Sequence, residues 1–73
     1  MNTPYRLLDV IKYTILHLRA NRPCSIRSLR QWLVAQCPGI TRQNVDAAME
    51  IILRMLETDG IITWCHLEGI ELT

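Results

Sequence analysis

The stretch AQCPGITRQNV, residues 35–45, decides how this chain folds. Pro38 cannot continue a helix, because its ring removes a backbone donor and clashes with the preceding turn. Gly39 accepts backbone dihedrals that other residues resist. Apolar residues recur at helical spacing on both sides of this pair, so the stretch predicts a tight turn between two helices. A polar triplet, residues 42–44, stands at the start of the downstream helix.

The helix after the turn is expected over about residues 42–58, with Thr41 as its N-terminal cap and Gly60 as its C-terminal cap. Its apolar residues span an arc of about 200°. That arc is wider than a surface helix needs, so this helix is either central in the core or shared with a partner. The arc holds Val45, Ala48, Met49, Ile51, Ile52, Leu53, Met55 and Leu56.

The first helix is predicted over about residues 4–20. Thr3-Pro4 is a typical helix start, because threonine can cap and proline at the first helical position loses no hydrogen bond. Asn21 followed by Pro23 is a typical stop. The helix is amphipathic, and its predicted core stripe is Leu7, Leu8, Ile11, Ile15 and Leu18.

The second helix is predicted over about residues 26–36, with Ser25 as its cap. Residues 23–25 just before it could make a very short strand. The apolar stripe of this helix is Ile26, Leu29, Trp32 and Leu33.

The tail IITWCHLEGIELT, residues 61–73, alternates between apolar and polar residues as a β-hairpin does. The turn of this hairpin is predicted at Glu68-Gly69. The residues expected to pair across the two strands are Ile62 and Trp64 on the first and Ile70 and Leu72 on the second.

Three helices, a tight break before the third and a terminal hairpin together resemble the winged helix-turn-helix superfamily. The resemblance covers nearly the whole chain and lies in SIRSLRQWLVAQ, TRQNVDAAMEIILRMLETDGII and GIELT. It is one of pattern, closest in kind to small prokaryotic, phage or mobile-element members. It implies one mainly α domain over residues 1–73, with three helices and a small β-hairpin as the wing.

In that superfamily the third helix usually enters the DNA major groove by its N-terminal half. The resemblance therefore implies a sequence-specific transcriptional regulator that binds double-stranded DNA. Arginine can pair with guanine, glutamine or asparagine with adenine, and alanine can touch the thymine methyl group. The DNA-binding candidates are Arg27, Arg30, Thr41, Arg42, Gln43, Asn44 and Ala47.

Charge favours a second interpretation, in which the winged helix binds a protein and no DNA. The chain has a net charge of +1 and a pI of about 7.8, whereas nucleic-acid-binding domains often have a pI above about 9. Asp46, Glu50 and Glu57 follow one side of the third helix, with Arg54 between them. Carboxylates facing a phosphate-lined groove are repelled. Glu68 at the predicted wing tip has no basic neighbour to offset it.

Apolar residues lying off the main helix stripes predict self-association, most simply a two-fold homodimer. The dimer-interface candidates are Val10, Leu16, Ile51 and Met55, with Val34 as a further off-stripe residue.

The remaining sequence features exclude several classes of protein. Cys24, Cys37 and Cys65 form no pair with metal-ligand spacing, and Cys65 and His66 point to opposite faces of a strand, so no metal or cofactor is expected. His17 is interpreted as a solvated side chain on the outer face of the first helix. No nucleophile has a base at a recognisable spacing, so we expect no enzyme. Three cysteines without a disulfide pattern, and no apolar run of about 18 residues, favour a cytoplasmic protein without a membrane span.

Overall fold

A computed structural model describes residues 4–64 and 69–73 of the chain. Its helices and strands are α1 (Leu7–Ala20), β1 (Cys24–Ser25), α2 (Ile26–Gln36), α3 (Val45–Thr58), β2 (Ile62–Trp64) and β3 (Gly69–Leu72). The predicted mainly α fold with three helices and a small β-sheet is confirmed, and it is compatible with a winged helix. Within the described residues, the helices are too short or too polar to cross a membrane.

The break between α2 and α3 is a tight turn over Cys37–Ile40. The N–H of Ile40 donates to the carbonyl of Cys37 at 3.2 Å. Pro38 occupies the second turn position, and Gly39 follows with φ at +85°. A positive φ at the third position is the mark of a type II turn, and glycine adopts it without steric cost. The predicted interruption at Pro38-Gly39 is therefore confirmed.

The start of α3 differs from its predicted position. The helix begins at Val45 and not near residue 42, and residues 42–44 form a turn. Thr41 is not the cap. Its own N–H donates to the side-chain oxygen of Asn44 at 2.7 Å, while the Asn44 amide nitrogen donates to the carbonyl of Gly39 at 3.0 Å. The asparagine closes the loop back on itself and so fixes where the helix starts.

The end of α3 follows the prediction. Gly60 has a φ of +75°. Its N–H donates to the carbonyl of Glu57, and the N–H of Ile61 donates to that of Leu56 at 2.9 Å. This pair of bonds is the Schellman motif, which satisfies carbonyls at a helix end and turns the chain into the next element.

The first helix starts later and is rotated relative to the expected stripe. It begins at Leu7, so the predicted start near residue 4 is wrong. Its fully buried residues are Val10, Thr14 and Leu18, whereas Leu8 is 79% exposed. Val10 therefore belongs to the core and is not available to a dimer interface. Leu8, which was predicted to face the core, faces solvent.

Two aromatic rings join α1 to α2. Trp32 donates its indole N–H to the carbonyl of Tyr13 at 2.9 Å. The ring of His17 stacks on Trp32 with centroids 5.0 Å apart, and its Nε2 lies 2.9 Å from the hydroxyl of Ser28. His17 is thus part of the helix interface, and the interpretation of a solvated histidine is wrong. Partial burial lowers the pKa of His17, because desolvation disfavours the charged ring.

The sheet has the order β1-β3-β2, with both pairs antiparallel. Ile62 pairs with Leu72 and Trp64 with Ile70, which confirms the predicted cross-strand partners. Gly69 is a strand residue paired with Ser25, so it does not belong to the hairpin turn. The other half of that predicted turn, residue 68, lies outside the described residues. The short strand predicted near 23–25 is confirmed at Cys24–Ser25.

The core lies between the three helices and one face of the sheet. Helix α3 is central in it, since six of its residues are buried. The buried apolar side chains are Val10, Leu18, Cys24, Leu29, Leu33, Cys37, Ile40, Val45, Ala48, Met49, Ile52, Leu53, Leu56, Ile62 and Ile70.

Candidate nucleic-acid interface and the neighbouring groove

Two of the predicted basic side chains, Arg30 and Arg42, meet at the junction of α2 and the turn before α3. Arg27 and Arg30 lie one helical turn apart on α2. Arg30 and Arg42 line the same open depression, which has a volume of about 520 Å³. We call this surface the corner; it comprises Arg27, Arg30, Gln31, Arg42 and Gln43.

Three other predicted DNA contacts lie close to the corner. Thr41 and Ala47 are exposed. Asn44 is half-buried, and both atoms of its side-chain amide bond to the backbone of the loop. The same atoms would be needed to pair with an adenine edge. Asn44 therefore shapes the corner, and each atom of its amide already makes one hydrogen bond to the loop.

The backbone at the start of α3 is partly satisfied as well. The carbonyl of Thr41 accepts from the N–H groups of Asn44 and Val45 at 3.2 and 2.9 Å. At the start of α2 the side chain of Ser25 accepts from the N–H of Ser28 at 3.0 Å, which confirms the predicted cap. These bonds reduce the number of helix-end donors left for a phosphate.

An ion pair forms one boundary of the corner. The Nε of Arg30 lies 2.8 Å from a carboxylate oxygen of Asp46, with the two side chains 43% and 70% exposed. Exposed pairs of this kind contribute little to stability. The carboxylate does, however, offset part of the attraction of Arg30 for a phosphate. The three guanidinium groups of the corner carry a formal charge of +3, and Asp46 is the carboxylate at its boundary.

Beyond that ion pair, the exposed side of α3 is acidic. Asp46, Glu50 and Glu57 are all exposed, as predicted. Arg54 donates to Glu50 at 3.1 Å, one turn apart on the helix. The predicted Glu50–Arg54 pair is therefore present, and the only basic side chain in this set is engaged by a carboxylate.

A groove lies between this side of α3, the first residue of α2 and strand β2. Its volume is about 330 Å³. Met49, Leu53 and Ile26 form an apolar floor, and Trp64 forms a wall. The sequence pattern predicted the acidic side chains but not this floor, because Ile26 and Trp64 are distant in sequence. The residues that line the groove are Ile26, Asp46, Met49, Glu50, Leu53, Arg54, Glu57 and Trp64.

The apolar side chains predicted for a dimer interface fall on separate surfaces. Ile51 and Met55 are exposed on α3 and line a depression of about 350 Å³ with Glu50, Arg54, Thr58 and Asp59. Leu16 is exposed on α1, and Val34 packs against the core. Sequence reasoning missed Leu8, the most exposed large apolar side chain among the described residues.

The cysteines that can be described are structural. Cys24 and Cys37 are free and buried, and burial raises the pKa of each thiol. Thiols held in the neutral form are poor nucleophiles and poor metal ligands. The described part of the chain holds no group of three or more histidine, cysteine, aspartate or glutamate residues placed to bind a metal ion. Residues 65 and 66, the other pair considered in the sequence, lie outside it.

No family model matches this chain, and no curated protein or solved structure matches it either. The proposals that follow therefore depend on the geometry of this chain.

Proposed function

We propose that this chain is a small DNA-binding regulator that contacts duplex DNA through the corner. The observation that carries the proposal is that Arg30 and Arg42, from two different elements, line one open depression. Guanidinium groups bind phosphate in a bidentate manner, and phosphate contacts set the position of a protein on the duplex. Arg27, one turn before Arg30, extends the same surface.

Base reading is assigned in this proposal to the exposed side chains at the start of α3. Arg42 and Gln43 have the donors and acceptors for base edges in the major groove, and Ala47 can touch a thymine methyl group. Thr41 offers a hydroxyl for a phosphate. Asn44 supports these residues by holding the loop.

The experiment is an anisotropy titration of a fluorescent duplex at two salt concentrations, with the double variant Arg27→Ala/Arg42→Ala. Each lost phosphate contact should reduce the salt slope by about 0.9. The double variant should therefore bind more weakly, with a slope smaller by about 1.8. Arg6→Ala/Arg22→Ala, at the two ends of α1, removes the same charge away from the corner and is the matched control. An unchanged affinity and slope in the corner variant would contradict the proposal.

Regulators of this kind act in pairs, and we propose that this one does so as well. Two-fold dimers contact half-sites about 34–36 Å apart along the duplex. The exposed apolar side chains of α1, Leu8 and Leu16, support self-association. Light scattering at tens of micromolar, roughly the range of weak dimers, should show twice the mass of the chain.

A second candidate function is a protein-interaction module that binds no DNA. The acidic exposed side of α3 favours it, because this is the side that a winged helix would turn toward the phosphates. The titration above separates the two candidates. Binding that weakens steeply with salt supports the regulator, and the absence of binding at low salt supports the interaction module.

A further inference from the structure

The groove combines three properties, of which the acidic rim distinguishes it from the corner. It is concave, its floor is apolar, and its rim is acidic. Asp46, Glu50 and Glu57 contribute three negative charges and Arg54 one positive charge, so the lining sums to −2. Asp46 and Glu50 each have an arginine partner, whereas Glu57 makes no ion pair with any residue that the structure describes. A matching partner would bring an apolar side chain flanked by cations.

Trp64 makes this groove different from a shallow surface dent. Its side chain is 45% exposed although its strand is paired. It stands between the groove and a second depression, lined with Ser25, Ile26 and Arg27. Exposed tryptophans at the wall of an apolar concavity are typical anchors of protein interfaces. The surface is therefore suited to a packed protein contact.

The chain itself carries a segment with the complementary chemistry. Leu8, Lys12 and Leu16 follow one another at intervals of four residues on α1, and Arg19 is the next residue on that side. We call these four residues the outer stripe. Leu8 and Leu16 are exposed. Lys12 and Arg19 form no ion pair within the described residues, so the stripe offers two apolar side chains and a charge of +2.

We infer that two copies of this chain pair reciprocally, with the outer stripe of each copy lying in the groove of the other. The apolar side chains of the stripe lie against Trp64, the exposed apolar side chain of the groove, and Lys12 and Arg19 lie against the acidic rim. The charges of stripe and groove, +2 and −2, cancel in each contact. Because each copy contributes both surfaces, the contact closes at two chains.

This inference specifies the surfaces of the pairing proposed above, but it does not depend on DNA binding. The corner contributes no residue to either surface. Every measurement below is made without DNA, so its failure would leave the corner proposal standing.

The test is sedimentation equilibrium of the full chain at roughly 10–200 µM, a range that covers weak dimers. Three variants are compared, Leu8→Ser and Lys12→Glu in the stripe and Glu57→Lys in the groove. All three positions are exposed, so folding should change little. Each variant should weaken dimerisation by about tenfold or more, since like charges or a lost apolar contact then meet in the interface.

Mixing the variants provides a more specific test of the pairing. A Lys12→Glu copy has an altered stripe and an intact groove, and a Glu57→Lys copy has the reverse. In an equimolar mixture each altered surface meets its complement and each intact surface meets its own partner. Dimers should therefore form in the mixture at concentrations at which each variant alone is mainly monomeric. Circular dichroism of each variant confirms that the helices are retained.

A second readout locates the contact. On dilution of the unmodified chain, the indole N–H signal of Trp64 should shift in the NMR spectrum while that of Trp32, bonded inside the helix interface, stays in place. Ile51→Ser/Met55→Ser is the matched control, because it removes apolar surface from the other depression on α3. A monomer at every concentration, species larger than two chains, failure of the mixture to recover, or loss of dimers in the control variant would each overturn the inference.

Discussion

The corner and the groove are neighbouring surfaces, the first on α2 and the turn before α3 and the second mainly on α3 and β2, and they differ in charge. The corner is open and basic, and its arginines come from two elements. The groove is apolar and acidic, and its wall comes from the sheet. The Arg30–Asp46 ion pair lies between them, with one residue belonging to each. One charge pair between two helices can thus separate two unrelated binding surfaces.

The largest effect is expected when the charge of the groove is reversed, which tests whether the groove and the corner act separately. Glu50→Lys/Glu57→Lys changes the sum of the lining from −2 to +2. If the acidic side of α3 faces the same duplex as the corner, DNA affinity at low salt should rise by about tenfold or more, because phosphate is then attracted along the helix. Anisotropy titration measures the change.

The control for that reversal is Asp59→Lys, which alters charge at the end of α3 outside the groove. It should raise affinity much less. Equal gains in both variants would mean that net charge alone, and not the position of the groove, limits binding.

A second test separates the residue that shapes the corner from the residue beside it. Asn44→Ala removes two hydrogen bonds within the loop and should cost about 1 kcal/mol of unfolding free energy. Gln43→Ala, one residue earlier and exposed, should leave stability within about 0.5 kcal/mol and weaken DNA binding instead. Urea unfolding measures the first effect. A stable Asn44→Ala protein would show that the loop does not need its amide.

A third test measures the coupling energy of the ion pair that separates the two surfaces. A double-mutant cycle on Arg30→Ala and Asp46→Ala should give a coupling of about 0.5 kcal/mol or less, since both side chains are largely solvated. Asp46→Asn, which releases Arg30 without removing it, should strengthen DNA binding. If Asp46→Asn weakens binding, the carboxylate itself contacts a base.

The smallest effect is expected from pH, and it acts on the scaffold that carries both surfaces. The pKa of His17 is lowered by burial from about 6.5 in the unfolded chain. The folded state therefore binds protons less readily, so stability is complete above about pH 6.5 and falls as the pH drops through that value. Urea unfolding should show this loss of stability between pH 7.5 and 5.5, an interval of about one pH unit on either side of the ordinary histidine pKa.

His17→Gln is the control for the pH series. Glutamine keeps a hydrogen-bonding group near Ser28 but does not titrate in this range. The variant should show a smaller fall in stability over the same interval. An equal fall would assign the pH dependence to other groups.

The sequence predicted those parts of the fold that depend on local chemistry. The type II turn at Pro38-Gly39, the cap at Gly60 and the strand pairs of Ile62 and Trp64 each follow from backbone preferences or alternation. The orientation of α1 could not be predicted from the sequence. Its apolar residues cover so much of the helix surface that several core-facing orientations fit the pattern. These residues are Leu7, Leu8, Val10, Ile11, Ile15, Leu16 and Leu18.

The candidate site was predictable to a similar degree. The acidic positions on α3 follow from helix geometry and are exposed as that geometry predicts, whereas Arg42 and Gln43 lie in a turn and not in the helix predicted from residue 42. The role of Asn44 did not follow, because a polar side chain before a helix can bond to its own loop or to a ligand, and only the positions of Gly39 and Thr41 decide between them. The groove also required tertiary structure, since Ile26 and Trp64 reach it from elements that are distant in sequence.

The order of the strands decides which of the two surfaces depends on strand β3. Strand β3, made last of the three, lies in the middle, so β1 and β2 have no partner until residues 69–72 have emerged. The three helices can collapse before that point, but Trp64 has no neighbouring strand to hold it. The basic surface therefore contains no residue that depends on β3, whereas the Trp64 wall of the apolar, acidic groove is held by its pairing with that strand.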